Sequence, residues 1–194
     1  MVNLTRIYTR TGDDGTTALG DMSRVGKNDL RLLAYADVDE ANTAVGVALA
    51  AGGLPAEVTA LLLRIQNELF DVGADLCTPV AEDPEFPPLR VEEDYVQRLE
   101  AACDGYNEQL TALRSFVLPG GTLAAAQLHV ARTVVRRAER STWAAWEQHG
   151  DTMNPLTARY LNRLSDLLFI LCRVANLPEN GGAGDTLWQP GATR

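Results

Sequence analysis

From Asn28 onward, apolar residues recur at three- and four-residue steps, which is the period of a helix with one buried face. The stretch DLRLLAYADVDEANTAVGVALAA keeps this period until Gly52 and Gly53 and predicts a first helix. The same period predicts four further helices, at about Pro55 to Ala74, 92–113, Leu123 to Gln148 and Pro155 to Asn176. No alternating strand of useful length appears, so the sequence predicts an all-α, up-and-down five-helix bundle with mostly short connections.

The ends of these helices carry recognisable start and stop signals. The prolines of DPEFPPLR precede the third helix, and the glycines of FVLPGGT follow it. Gly150 predicts a left-handed C-cap for the fourth helix. Asn154 followed by Pro155 predicts the first turn of the fifth helix, with Asn as the cap.

The segments that flank the bundle are polar. Residues 1–27 are rich in Gly, Thr and Asp and hold too few apolar positions for a packed helix, so they predict an ordered loop or a disordered tail. Residues 177–194 predict a flexible C-terminal tail, in which Trp188 could dock on the bundle. A chain of 194 residues has the length of one domain, made of residues 1–27, the bundle at 28–176 and the tail.

Composition narrows the class of partner. A formal net charge of -9 and a pI near 4.7 argue against a protein that coats nucleic acid or an anionic membrane. The three cysteines form no CxxC pair, so we expect buried thiols of a reducing compartment. The N-terminus lacks an apolar signal region, and no run of about 18 apolar residues occurs, so we expect a cytoplasmic protein.

The stretch RTVVRRAER at 132–140 gathers four arginines in this acidic chain. On a helix, Arg132, Arg136, Glu139 and Arg140 fall within one arc of about a quarter-turn, opposite the apolar residues. One interpretation is a solvated face with ion pairs along the helix. The other is a site for a polyphosphate, because arginines one turn apart repel each other unless an anion lies among them.

Polar residues in three other places are candidates for the same site. The stretch TRTGDDGTT at 9–17 offers glycines, hydroxyls and backbone N–H groups to phosphate oxygens, although it is also typical of an ordinary turn. GDMSRVGKN does not match a P-loop. Asn162 and Asp166 share one face of the fifth helix, and Asp39 on the first helix could pair with an arginine.

In this order along residues 5–176, the motifs YTRTGDDGTT, the lysine at 27, DEAN, SFVLPGG, RxxxRRAER and YLNRLSDLLF resemble the PduO-type ATP:cob(I)alamin adenosyltransferases. The resemblance implies a ferritin-like, cobalamin adenosyltransferase-like helical bundle with an ordered N-terminal ATP loop. It also implies a homotrimer with active sites at the subunit interfaces. Such an enzyme transfers the 5′-deoxyadenosyl group of ATP to cob(I)alamin and releases triphosphate.

The resemblance also assigns roles to individual residues. It implies that ATP is bound by Thr9, Arg10, Thr11, Gly12, Thr17, Lys27, Arg136, Arg137, Ala138, Glu139, Arg140 and Asn162. The family often has Lys where this chain has Arg10, which keeps the charge. Arg136 would be the triphosphate ligand, Asp39 and Arg132 an intersubunit salt bridge, Asp166 an essential aspartate, and Phe116 the ring beneath the corrin.

Cob(I)alamin is itself a strong nucleophile, so such an enzyme needs positioning and electrostatics rather than a catalytic base. On the resemblance, Mg²⁺ would be bound mainly through the ATP phosphates and not by side chains. Phe116 would exclude the lower ligand and ease reduction of cobalt. A reductase and an adenosylcobalamin-dependent mutase are the expected partners. The alternative is a non-catalytic ATP-binding helical sensor or cofactor-carrier module.

Overall fold

The computed structural model describes residues 7–84 and 87–192. Five long helices dominate it, which confirms the predicted helical bundle: α1 (Leu30–Ala51), α2 (Ala56–Cys77), α3 (Glu93–Asn107), α4 (Leu123–His149) and α5 (Leu156–Val174). Single 3-10 turns follow α4 at Gly150–Thr152 and α5 at Pro178–Asn180. No helix in the described ranges is long and apolar enough to cross a membrane.

The core lies where α1 and α5 pack against the central helix α4. Helix α1 also packs on α2, and α5 also packs on α3. The buried face of α1 consists of small residues, among them Ala34, Ala41 and Ala48, which are fully buried. Small side chains let α4 approach closely, and leucines of α5 fill the opposite side of α4.

The two ends of the bundle are closed differently. At the upper end, where α1, α3 and α5 begin, the buried Arg31 donates to the carbonyl of Leu76 at the end of α2 (3.0 Å) and to Thr152. Asp29 caps α1 by accepting from the Arg31 N–H (2.8 Å). At the lower end, where α4 begins and α5 ends, Thr122 caps α4. Side chains thus satisfy the free backbone groups of the helix termini.

The structure corrects three details of the sequence-based assignment. Residues 16–26 form a small antiparallel hairpin, β1 (Thr16–Ala18) and β2 (Arg24–Gly26), with Thr17 opposite Val25. Helix α3 ends at Asn107 instead of about 113; the chain then turns, and the Thr111 carbonyl accepts from buried Arg173 (2.7 Å), a residue far along the chain. Gly150 is right-handed (φ -45°) because a 3-10 turn continues from α4, so it is not a left-handed cap.

The C-terminal tail crosses the lower end of the bundle. Trp188 N–H donates to the Phe116 carbonyl and Leu118 N–H to the Thr186 carbonyl (both 2.8 Å). The Ser115 hydroxyl donates to the Trp188 carbonyl (2.7 Å). Residues 186–188 therefore pair with residues 116–118, and we call residues 184–190 the C-terminal strap.

Candidate functional site

The hairpin segment, residues 7–27, lies against the upper end of the bundle. Its contact point is Gly20, whose N–H donates to the Cys77 carbonyl at the end of α2 (2.9 Å). A Cβ at position 20 would overlap the Thr78 hydroxyl, so glycine permits this close approach. Leu19 beside it is buried. The segment is thus fixed to the helices at one end, whereas its loop at 9–17 is mostly exposed.

Within this segment the structure brings Lys27 to the glycine turn predicted to bind phosphate. The Lys27 N–H donates to the Gly15 carbonyl (2.9 Å). The Lys27 Nζ lies 3.2 Å from the place that a Cβ on Gly12 would occupy. Arg10 has a left-handed backbone (φ 63°), and the Thr9 and Thr11 hydroxyls are 2.9 Å apart. Hydroxyls, glycines and an ammonium group therefore meet in one exposed loop.

The face of α4 that carries Arg136 and Arg140 is exposed to solvent. Across residues 7–84 and 87–192, neither guanidinium has a hydrogen-bond or ion-pair partner. Ala138 is fully buried, so its side chain does not reach this face. Within the described ranges, the structure thus leaves two arginines without ion-pair partners on one face, one turn apart.

Arg137 points to the other side, toward α1. Its guanidinium contacts Glu40 and lies 3.7 Å from Asp37. The hydrogen bond from Arg137 to Glu40 raises the pKa of this arginine. The Ser141 hydroxyl also donates to Asp37. Arg137 therefore ties α4 to α1 within one chain.

Helix α5 places its two predicted polar residues beside α4 and α3. The amide of Asn162 donates to Glu139 (2.9 Å), which joins these two predicted nucleotide residues. Asp166 accepts from Arg163 (2.6 Å), whose Nε also donates to Glu100 on α3 (3.1 Å). Asp166 is thus held by an arginine that bridges two helices.

Asp39 and Arg132 are not paired within the chain. Asp39 is exposed on α1, and its carbonyl accepts from the Thr43 hydroxyl. Arg132 lies toward α5, with its guanidinium carbon 6.0 Å from the ring centre of Phe169. The Arg132 Nε is buried without a hydrogen-bond partner in the part of the chain that the structure covers.

An aromatic pocket of about 660 Å³ lies at the lower end, and it contains Phe116. Its walls include Phe116, Arg132, Phe169 and Trp188. The Phe116 side chain is 77% exposed, and its ring lies 5.9 Å from that of Trp188. The pocket thus offers a wide apolar surface with two arginines, Arg114 and Arg132, at its wall.

Buried polar groups lie behind this pocket. Arg173 donates from Nε to Asp185 (2.7 Å), which fixes the C-terminal strap to α5. His129 is 3% exposed, stacks edge-on against Phe169, and neither of its ring nitrogens has a partner among the residues covered. Burial lowers the pKa of His129, and neighbouring Arg132 lowers it further, against the opposite effect of Asp185. Burial also raises the pKa of Cys172 to about 12.

Sequence reasoning missed Arg24, Arg173 and Asp185, and it left the position of Trp188 open. The guanidinium of Arg24 crosses the hairpin to the carbonyl of Thr11 (2.8 Å). No local pattern marks these residues, because their partners are fixed by the hairpin turn or lie far along the chain. A tryptophan in an otherwise polar tail was the one available signal for the strap.

The three parts of the candidate site do not form one cavity in a single chain. Within the residues that the structure covers, no hydrogen bond or ion pair joins the loop at 9–17 to Arg136 or Arg140. The loop lies at the upper end, and the aromatic pocket lies at the lower end. Arg132 is the predicted site residue that lines the pocket together with Phe116.

Comparison with known proteins shows which family this chain is similar to. The family model described as cobalamin adenosyltransferase matches residues 7–175. A corrinoid adenosyltransferase of Mycobacterium tuberculosis is 63% identical over 193 residues, which cover 100% of this chain and 97% of that protein. The corrinoid adenosyltransferase of Bacillus subtilis is 40% identical over 190 residues, covering 96% of this chain and 94% of that protein.

A solved structure shares the fold. It is a phenylalanine-to-alanine variant of the PduO-type ATP:corrinoid adenosyltransferase from Lactobacillus reuteri, complexed with cobalamin and ATP. It superposes with a TM-score of 0.85 at 36% identity, covering 95% of this chain and 99% of that chain. Both the sequence and the fold agree, and the chain therefore belongs to the cobalamin adenosyltransferase family.

Proposed function

We propose that this protein transfers the 5′-deoxyadenosyl group of ATP to cob(I)alamin, forming adenosylcobalamin and releasing triphosphate. The observation that carries the proposal is the pair Arg136 and Arg140, exposed and without partners across residues 7–84 and 87–192 in a family member of net charge -9. A leaving triphosphate is the anion that would relieve their mutual repulsion. The relatives of this chain are corrinoid adenosyltransferases, which supports this choice of reaction.

The nucleotide site is completed between subunits of a homotrimer. The loop at 9–17 with Lys27 supplies one wall, and the exposed face of α4 from a neighbouring chain supplies the other. The separation of these two parts within one chain supports this assembly. Asp39 and Arg132, both without an ion-pair partner in the two described ranges, would form the salt bridge that joins two chains.

In the transfer step, the electron pair of Co(I) attacks the 5′ carbon of ATP. The cobalt–carbon bond forms while the C5′–O bond breaks, its electron pair leaves with the triphosphate, and cobalt is formally oxidised to Co(III). Arg136 and Lys27 stabilise the charge that gathers on the leaving oxygen. Asn162 and Glu139, already hydrogen-bonded to each other, hold the nucleoside end in place.

The described residues do not form a metal-binding site from protein side chains alone. No cluster of three His, Cys, Asp or Glu side chains suited to a metal ion occurs within residues 7–84 and 87–192. Magnesium prefers phosphate oxygens and water to an all-protein cage, so the ion would arrive with the triphosphate. Bound there, it would neutralise part of the charge on the leaving group.

The corrin lies over the aromatic pocket, with Phe116 beneath the ring. The Phe116 ring beside Trp188 would exclude water and a lower ligand from a bound corrin, which would ease reduction of Co(II) to Co(I). Asp166, held by Arg163, lies one turn from Asn162 and is the aspartate that the resemblance to the family marks as essential.

A reductase that supplies the electron for Co(I) and a mutase that receives adenosylcobalamin are the partners that we propose for this enzyme. Three free thiols, at Cys77, Cys103 and Cys172, support a reducing compartment, and we place the protein in the cytoplasm.

An anaerobic assay tests the proposal. Pure protein receives ATP, magnesium and chemically reduced cob(I)alamin, and the visible spectrum is followed together with triphosphate release. Growth of the adenosylcobalamin spectrum with one triphosphate per cobalamin supports the transferase. A flat spectrum despite measurable ATP binding would instead favour the non-catalytic sensor or carrier.

A further inference from the structure

The loop that we assign to ATP is held in shape by one arginine that no motif includes. We propose that Arg24 is a positioning residue, which fixes the backbone of residues 11–16 in the conformation that binds triphosphate. The inference rests on the proposed function, because it takes the loop at 9–17 to be the nucleotide loop. It concerns Arg24 alone and can fail while the transferase assignment stands.

Arg24 reaches across the hairpin from its place in β2. One terminal nitrogen donates to the Thr11 carbonyl (2.8 Å) and also contacts the Thr16 hydroxyl. These two residues flank the turn Gly12-Asp13-Asp14-Gly15 on either side. A single guanidinium therefore fixes the width of the turn.

Asp14 completes the arrangement from inside the turn. Its carboxylate accepts from the Thr16 N–H (3.0 Å) and the Thr16 hydroxyl (2.7 Å), and it lies 3.6 Å from Arg24. The hydrogen bonds from Thr16, followed by the charge of Arg24, lower the pKa of Asp14. Because this carboxylate accepts from Thr16 and lies beside the Arg24 guanidinium, its repulsion of an approaching phosphate is reduced.

The turn that Arg24 holds leaves backbone N–H groups without an acceptor among the described residues. Asp13 and Gly15 donate to carbonyls within the turn, and Thr16 donates to Asp14. The N–H groups of Thr11 and Gly12 have no acceptor within residues 7–84 and 87–192. Successive free N–H groups beside the Lys27 ammonium are the donors that phosphate oxygens need. Without Arg24, the turn would have to be ordered by ATP itself, and binding would be weaker.

Arg24 also differs from Lys27 and Arg136, the cationic residues that we propose to contact the phosphates of ATP. One of its terminal nitrogens is engaged within the loop, by the Thr11 carbonyl, the Thr16 hydroxyl and Asp14, and its side chain is 45% exposed on the hairpin. Lys27, by contrast, has no side-chain partner in the described part of the chain. Arg24 therefore acts through the loop, whereas Lys27 is free to contact the nucleotide.

The test separates positioning from direct contact. Arg24→Ala should raise the KM for ATP by about tenfold, in line with the loss of charge-assisted hydrogen bonds, while kcat at saturating ATP stays within about twofold. Arg24→Lys should recover part of the affinity, because an ammonium group can still donate to the Thr11 carbonyl and lie beside Asp14. A fall in kcat as large as the fall in kcat/KM would overturn the proposal, because a direct contact with the leaving triphosphate would then explain the effect.

A matched control and a coupling measurement complete the design. Arg159→Ala removes another exposed arginine with an ion pair, to Glu93, and should leave the KM for ATP unchanged. Thr16→Val combined with Arg24→Ala should cost less than the sum of the two single changes, since both remove the contact between Arg24 and the Thr16 hydroxyl. Additive losses would contradict the proposal. Calorimetric measurement of ATP affinity tests the role of Arg24 even if the wild type transfers no adenosyl group.

Discussion

The hairpin segment and the aromatic pocket, at opposite ends of the bundle, are built in different ways. The hairpin is held by polar contacts between near neighbours in sequence, such as Arg24 with Thr11, 13 residues apart. The pocket is held by contacts across the chain, such as Ser115 with Trp188, 73 residues apart. Local hydrogen bonds order a loop for a charged ligand, whereas an apolar ring surface has to be assembled from distant segments.

This contrast suggests that nucleotide and corrin depend on separate parts of the protein. Changes at the hairpin or the arginine face should alter ATP kinetics and leave the aromatic pocket intact. Changes at the C-terminal strap should alter the aromatic pocket and leave ATP kinetics unchanged. Single substitutions can show whether the two regions are altered independently, beginning with the largest expected effect.

Replacing Arg136 by Ala should have the largest effect. The leaving triphosphate loses its main cationic contact, so kcat/KM for ATP should fall by about 100-fold, similar to the loss of one transition-state donor. Anaerobic turnover with cob(I)alamin measures it. Arg159→Ala, an exposed arginine paired with Glu93, is the matched control. Equal activity of both variants would remove Arg136 from the mechanism.

Replacing Asp185 by Ala should release the C-terminal strap. The guanidinium of Arg173, 5% exposed, would lose its carboxylate and keep the Thr111 carbonyl. Because a buried charge is left incompletely paired, local opening should become easier by about 2 kcal/mol. Faster proteolysis within residues 177–192 and a changed Trp188 fluorescence would report it. Glu179→Ala, exposed on the same tail, should change neither, and ATP binding should be retained by both variants.

Replacing Phe116 by Ala should separate corrin chemistry from ATP binding. Without the ring, water or a lower ligand can reach cobalt, so turnover from cob(II)alamin with a reductase should fall at least about tenfold, or about 1.4 kcal/mol. The dissociation constant for ATP should stay unchanged. Phe70→Ala removes a similarly exposed ring from α2 and serves as the control. Unchanged turnover from cob(II)alamin would disprove the role given to Phe116.

The sequence predicted the bundle because helical periodicity is local. The buried positions of α5, such as Leu161, Leu164 and Leu168, and the exposed positions Asn162 and Asp166 follow directly from spacing. The hairpin was missed because strands of three residues are too short to show alternation. The end of α3 was misplaced; the chain that follows it contacts Arg173, a residue far along the chain.

The residues of the candidate site also divide into those that a local sequence pattern predicts and those that depend on contacts between distant segments. The residues of the hairpin loop and the arginine face could be named from motifs, because each motif is one short stretch. The placement of Trp188 opposite Phe116 could not, because it depends on the ion pair of Arg173 with Asp185 and on main-chain pairing between distant segments. Roles that require a second subunit, such as that of Asp39, stay predictions.

The smallest expected effect concerns His129, behind the aromatic pocket. Its pKa is lowered by burial and by Arg132, so the folded protein keeps this imidazole neutral where the unfolded chain takes up a proton. The unfolded state then binds more protons, and the free energy of unfolding falls as the pH drops below about 6.5, by at most about 1.4 kcal/mol per pH unit. Above that pH, His129 no longer makes the free energy of unfolding depend on pH.

Urea unfolding of the wild type and of His129→Leu at pH 7.5 and at pH 5.5 measures this contribution. The wild type should lose more stability than the variant on acidification. His149, paired with Asp29 at the upper end, is present in both proteins, so it does not contribute to the difference between them. Parallel losses in the two proteins would show that His129 is protonated as readily in the folded state as in the unfolded chain. The polar groups behind the pocket would then have to be hydrated, and the pocket would be less apolar than its walls suggest.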